Sequence, residues 1–83
     1  MSAVPEAIAA HAEVLRSDAR VLAECAERLR EIGDRLGGAA PDWLRETVDA
    51  HIAACAAASG DLAEAAARLR VYADRAGRRR AGA

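Results

Sequence analysis

The sequence predicts an all-α fold: an antiparallel helical hairpin that dimerises into a four-helix bundle. Three observations predict it. Alanine supplies 24 of the 83 residues, with leucine, arginine and glutamate prominent beside it, and all four are strong helix formers. Apolar residues recur at spacing seven along two long segments. The stretch "LGGAAP", residues 36–41, which gathers two glycines and a proline, falls near the middle of the chain.

The first helix is expected over residues 5–36. Pro5 suits a first helical turn, where its missing N–H has no intrahelical partner to lose, and Glu6 beside it complements the helix dipole. Ile8, Leu15, Leu22, Leu29 and Leu36 fall seven apart, and Ala12, Ala19, Ala26 and Gly33 follow the first four of them by four. Gly37 or Gly38 can take the left-handed conformation that ends a helix.

The second helix is expected over residues 41–76, with Pro41 and Asp42 at its start and Gly77 at its end. Val48, Cys55, Leu62, Leu69 and Ala76 repeat at seven, with Ile52, Ser59, Ala66 and Ala73 four later. Large and small residues alternating along such seams describe helices that pack closely at a shallow angle. One stretch offers an alternative. In "ASGDLAEA", residues 58–65, Asp61 and Glu64 follow Gly60 in a pattern close to a capping box, which would restart a helix and give three. The heptad nevertheless passes through Gly60 in phase, which favours one continuous helix.

A reversal near Ala40 places positions whose numbers add to about 80 opposite each other. Ile32 then meets Val48, Cys25 meets Cys55, Leu15 meets Ala65 or Ala66, and Ile8 lies near Tyr72. Asp18 opposite Leu62 and His11 opposite Leu69 are the exceptions to apolar pairing. Asp18, if buried there, calls for an arginine partner. The expected dimer and core seam is Ile8, Leu15, Leu22, Leu29, Ile32, Leu36, Val48, Ile52, Leu62 and Leu69. A seam so rich in alanine buries little apolar area at about 25 cal/mol per Å². Val14, Val21, Leu44 and Val71 widen the apolar stripe beyond what one partner helix covers. A second hairpin is the simplest cover. Residues 1–77 form the hairpin domain in this reading, and residues 78–83 a basic, flexible tail.

Several function classes lose support on composition. The net charge is −1, and the arginine cluster at residues 75–80 has no aromatic platform for stacking bases, so no nucleic acid is expected. No apolar run approaches the roughly 20 residues of a membrane span. The N-terminus lacks the basic region of a cleaved signal peptide and acquires Glu6 and Glu13 early, which points to the cytoplasm or to export without a cleaved signal. No phosphate-cradling glycine loop or His-Glu-X-X-His pattern is present. The expectation is a protein that is not an enzyme and carries no cofactor. All twelve basic residues are arginine, and Lys, Asn, Gln and Phe are absent, the mark of a GC-rich, actinobacterial genome.

Cys25 and Cys55 admit three readings. They are small buried apolar residues, or a disulfide closing a loop of about 30 residues, or, with His51 one turn before Cys55, part of a three-ligand metal site that lacks a fourth ligand.

The corner holds the sole tryptophan, Trp43, in "PDWLRET". Two long helices, a short turn and a tryptophan beside it resemble the WXG family of small type VII secretion proteins. That resemblance covers essentially the whole chain and implies a four-helix-bundle dimer that is exported or guides a partner to the secretion machine. The partner it implies is a second copy, a related hairpin or a larger secreted effector. Two departures stand out. Trp43-Leu44-Arg45 lacks the glycine of the family's Trp-X-Gly turn. Tyr72, which would open the family's C-terminal Tyr-X-X-X-Asp/Glu export signal, is followed at the acidic position by Ala76. Read from the residues alone, Trp43 is an apolar anchor covering the open end of the bundle. A module with no export role, a dimeric scaffold or an antidote in a toxin pair, is the alternative function.

Overall fold

The structure, a computed structural model, describes residues 3–82. Helix α1 is Val4–Leu36, a 3-10 turn spans Gly37–Ala39, and helix α2 is Asp42–Gly82. The all-α hairpin expected from the heptads is the fold observed. Met1, Ser2 and Ala83 lie outside the described residues.

Each boundary has a local cause. Pro5 sits in the first turn of α1, and the Ala7 N–H donates to the Ala3 carbonyl at 2.8 Å. Gly37 ends α1 with φ +58°, the one positive φ among the described residues, a conformation glycine adopts without a Cβ clash. Ala40 is extended (φ −73°, ψ 140°), as the residue before a proline prefers. Pro41 stands one residue outside α2, and its carbonyl accepts from the N–H groups of Leu44 (3.0 Å) and Arg45 (3.3 Å). The Arg45 guanidinium reaches back and donates to the Gly37 carbonyl, tying the start of α2 to the end of α1.

α2 departs from expectation at its far end. It runs through Gly60 without interruption, as the heptad phase favours, so the described residues form no third α-helix, but it also continues through Gly77 to Gly82, so residues 78–82 are helix where a loose tail is expected. Neither glycine takes a positive φ. A glycine inside a helix costs only about 1 kcal/mol against alanine, and the surrounding alanines and arginines favour helix. Arg79 and Arg80 in the last turn complement the dipole there.

The two helices pack along the small residues. Ala12, Ala19, Ala26, Ala66 and Ala73 are only 2–5% exposed. Ser59, in the same row, donates from Oγ to the Ala19 carbonyl of the opposite helix at 2.7 Å. A methyl built on Gly33 would stand 3.6 Å from Val48 Cγ1. Ser59 with Ala19 and Val48 with Gly33 keep the expected register. The division of labour within the seam is corrected, however. Ile8, Leu15, Leu22, Leu29, Leu36, Val48, Ile52, Leu62 and Leu69 are half-buried, and Ile32 is 46% exposed. Small side chains let the helix axes approach, and the leucines are displaced to the margins of the contact.

The product is a rod with Cα extents of 66 × 13 × 13 Å and a radius of gyration of 18.8 Å. A compact chain of this length has a radius of gyration of about 12 Å. The rod exposes 5966 Å², against the roughly 4,700 Å² typical of a folded monomer of this mass.

Candidate interaction face

The leucine rows set the geometry of the main candidate site. On α1, Leu15, Leu22, Leu29 and Leu36 each lie three residues beyond a seam residue. On α2, Cys55, Leu62, Leu69 and Ala76 hold the same relation to Ile52, Ser59, Ala66 and Ala73. In an antiparallel pair these positions fall on the same side of the contact. The positions four beyond the seam fall on the opposite side, where Ala23, Ala26, Glu27, Arg30, Ala56 and Ser59 line a shallow groove across both helices. One broad side of the rod is therefore a double row of half-buried aliphatic side chains running almost its full length. The other carries small residues interspersed with charge.

Around α1 the apolar arc continues outward to Val14, Val21 and Ile32, all about half exposed. His11, Asp18 and Cys25 lie on the same outer flank. Asp18 is exposed rather than buried opposite Leu62, and among the described residues it has no ion-pair partner, so the arginine pairing expected of a buried Asp18 is not needed. The ion pairs Glu13–Arg16, Glu27–Arg30, Glu64–Arg68 and Asp74–Arg70 each join residues three or four apart on exposed helix surface. Such pairs contribute about 0.2–0.5 kcal/mol each. They decorate the helices without setting the fold.

Cys25 and Cys55 are both half-buried free thiols. Cys55 stands in the α2 leucine row, whereas Cys25 lies on the outer flank of α1, where its Sγ accepts from Arg28 Nη2 at 3.2 Å. His51 is exposed, with Nδ1 3.0 Å from the Thr47 carbonyl. Among the described residues no three His, Cys, Asp or Glu side chains are grouped to hold a metal, so the three-ligand reading of Cys25, His51 and Cys55 is not assembled.

The two aromatic residues both lie on exposed surface of α2. Trp43 is 66% exposed on the outer side of the first turn of α2, and Tyr72 is 60% exposed farther along the helix. Leu44 is the residue of that turn that is half-buried.

Two features escape a reading of the sequence. The Ser59–Ala19 bond has no motif, because a serine in a heptad of small residues looks like another filler. The Arg45 tie to Gly37 depends on how the turn closes, which no local spacing encodes.

No helix among the described residues is long and apolar enough to cross a membrane. No protein-family model matches the chain, and neither curated proteins nor solved structures provide a match.

Proposed function

We propose that this protein is a non-enzymatic interaction module whose leucine-lined side docks a second helical hairpin, another copy or a related chain, in a four-helix bundle. The observation that carries the reading is that unclosed apolar face. The rod exposes on the order of 1,000 Å² more than a compact monomer of its mass, and a standard protein interface buries about 800 Å² on each partner. Two hairpins stacked on their leucine rows cover the deficit that one cannot.

The resemblance to the WXG family extends the reading to type VII secretion, as a substrate or as the partner that brings a larger effector to the machine. A long helical hairpin with a tryptophan beside its turn supports that extension. The missing glycine after Trp43-Leu44 and Ala76 in the acidic place after Tyr72 favour the second reading, an intracellular dimeric scaffold or antidote.

Light scattering of the purified protein, with and without reductant, tests the module. The expected mass is twice the chain's 8.7 kDa in both conditions. Replacing Leu22→Glu and Leu62→Glu together should return it to one chain mass with the helical signal retained. A wild-type monomer that also captures no hairpin chain encoded beside it overturns the proposal. Export is read separately, by whether the protein leaves cells with an intact secretion ATPase and stays in cells without one.

A further inference from the structure

The outward side of α2, opposite the seam, carries a second pattern that the leucine face does not use. Trp43, Ala50, Ala57, Glu64, Val71 and Arg78 repeat at seven there, and every one is exposed. Charge along this helix is strongly polarised. From Asp42 to Glu64 there are five carboxylates against Arg45 alone; from Ala65 to Gly82 there are six arginines against Asp74 alone. Complementing the helix dipole accounts for charge in the first and last turns only. Arg68 and Arg75 lie well inside the helix. Arg75, Arg78 and Arg79 have no ion-pair or hydrogen-bond partner among the described residues. Val71 and Tyr72, large and exposed, stand between the arginines, and Ala67, Arg68, Val71, Tyr72 and Arg75 line a shallow cleft there.

We infer that the outer stripe of α2 is a self-pairing surface, on which a second copy docks its own α2 in the antiparallel sense through a two-fold axis near Asp61. This surface is distinct from the leucine face and goes beyond the function proposed above. A two-fold axis requires an isologous contact, each end of one helix meeting the opposite end of its partner. That arrangement sets the acidic half of each α2 against the basic half of the other, whereas a parallel arrangement sets like on like. The register follows from the spacing. With Trp43 level with the partner's Arg78, Ala50 meets the partner's Val71 and Ala57 meets the partner's Glu64. Trp43 then lies within reach of arginines that bind its ring face by cation–π attraction. Between these ends Ala50, Ala54, Ala57 and Gly60 are small and exposed, with Asp61 and Glu64 the larger exceptions, so the two helices can approach closely along the alanine stretch. The register also places Asp61 against its own symmetry mate, a like-charge contact that weakens the pair.

Sedimentation of the full chain at about 0.01 M and about 1 M salt, where the Debye length is roughly 30 Å and roughly 3 Å, tests the inference. At low salt the particle mass should be at least twice that at high salt, since a leucine-face dimer presents two α2 stripes, with the emission of Trp43, the only tryptophan, shifted to shorter wavelength. The high-salt mass reads the leucine face and the ratio of the two masses reads the α2 stripe, so failure of one is separable from failure of the other. R75E/R78E and D42R/E46R should each abolish the doubling, and an equimolar mixture of the two variants should restore it. All four positions are exposed, so the helical signal of each variant should match wild type. Asp61→Asn should carry the doubling to higher salt. A mass ratio of one, a doubling that survives both charge reversals, or a mixture that fails to restore it overturns the inference.

Discussion

Ala19 shows how much of this fold rests on what a side chain lacks. It is almost fully buried, and its carbonyl also accepts the Ser59 hydroxyl from the opposite helix. Leucine at this position would be welcome in most cores, yet here it must wedge the helices apart. Ala19→Leu should destabilise by about 1–3 kcal/mol, the usual cost of overpacking, read as a lower denaturant midpoint in chemical unfolding. Ser59→Ala removes one hydrogen bond and leaves the Ala19 carbonyl its helical role, so about 1 kcal/mol is expected. An Ala19→Leu variant as stable as wild type would mean the seam is looser than its burial suggests. The seam was half legible at this scale. The heptads named the right rows, but alternating large and small residues do not say which row is central. That depends on the approach distance of two backbones, which is a property of the pair.

The two helices differ in what sets their limits. α1 ends where Gly37 takes a positive φ, and its termini were readable from Pro5 and the glycine pair. α2 carries Gly60 and Gly77 inside it; the heptad phase favours continuity through the first against a capping-box pattern, and Gly77 is the expected stop. A glycine stops a helix when the chain beyond it has somewhere better to go. Gly77 is followed by Arg78, Arg79, Arg80 and Ala81, all strong helix formers, so the helix continues. A methyl built on Gly60 or on Gly77 has nothing within 4 Å. Gly60→Ala and Gly77→Ala should therefore each stabilise, by about 0.5–1 kcal/mol. Gly37→Ala, forced to a positive φ, should cost about 1–2 kcal/mol. Thermal unfolding of the three variants checks the pattern. Equal shifts at Gly37 and Gly60 would contradict the assigned conformations.

The whole molecule is a rod with one leucine-lined side, and that shape carries the functional argument. Stacking two rods along their leucine rows thickens the particle without lengthening it. Small-angle scattering of the dimer should give a long dimension close to that of one hairpin, 66 Å between Cα extremes, with roughly double the cross-section. An end-to-end particle of about twice the length would rule out the leucine rows as the contact.

The sequence by itself determined the helical class, the two-helix order, the position of the corner and the antiparallel register. These follow from propensity and from spacing along one chain, both local quantities. It also placed Trp43 and Tyr72 on α2, without saying that both face outward. Only the tertiary structure decided that alanines hold the centre while leucines line one side, that Arg45 ties the corner, that Ser59 bonds across the seam and that Cys25 and Cys55 stand in different rows. Each of these depends on how closely two helices approach and how each is rotated about its axis. That geometry is settled jointly by the two surfaces in contact, and neither helix encodes it alone.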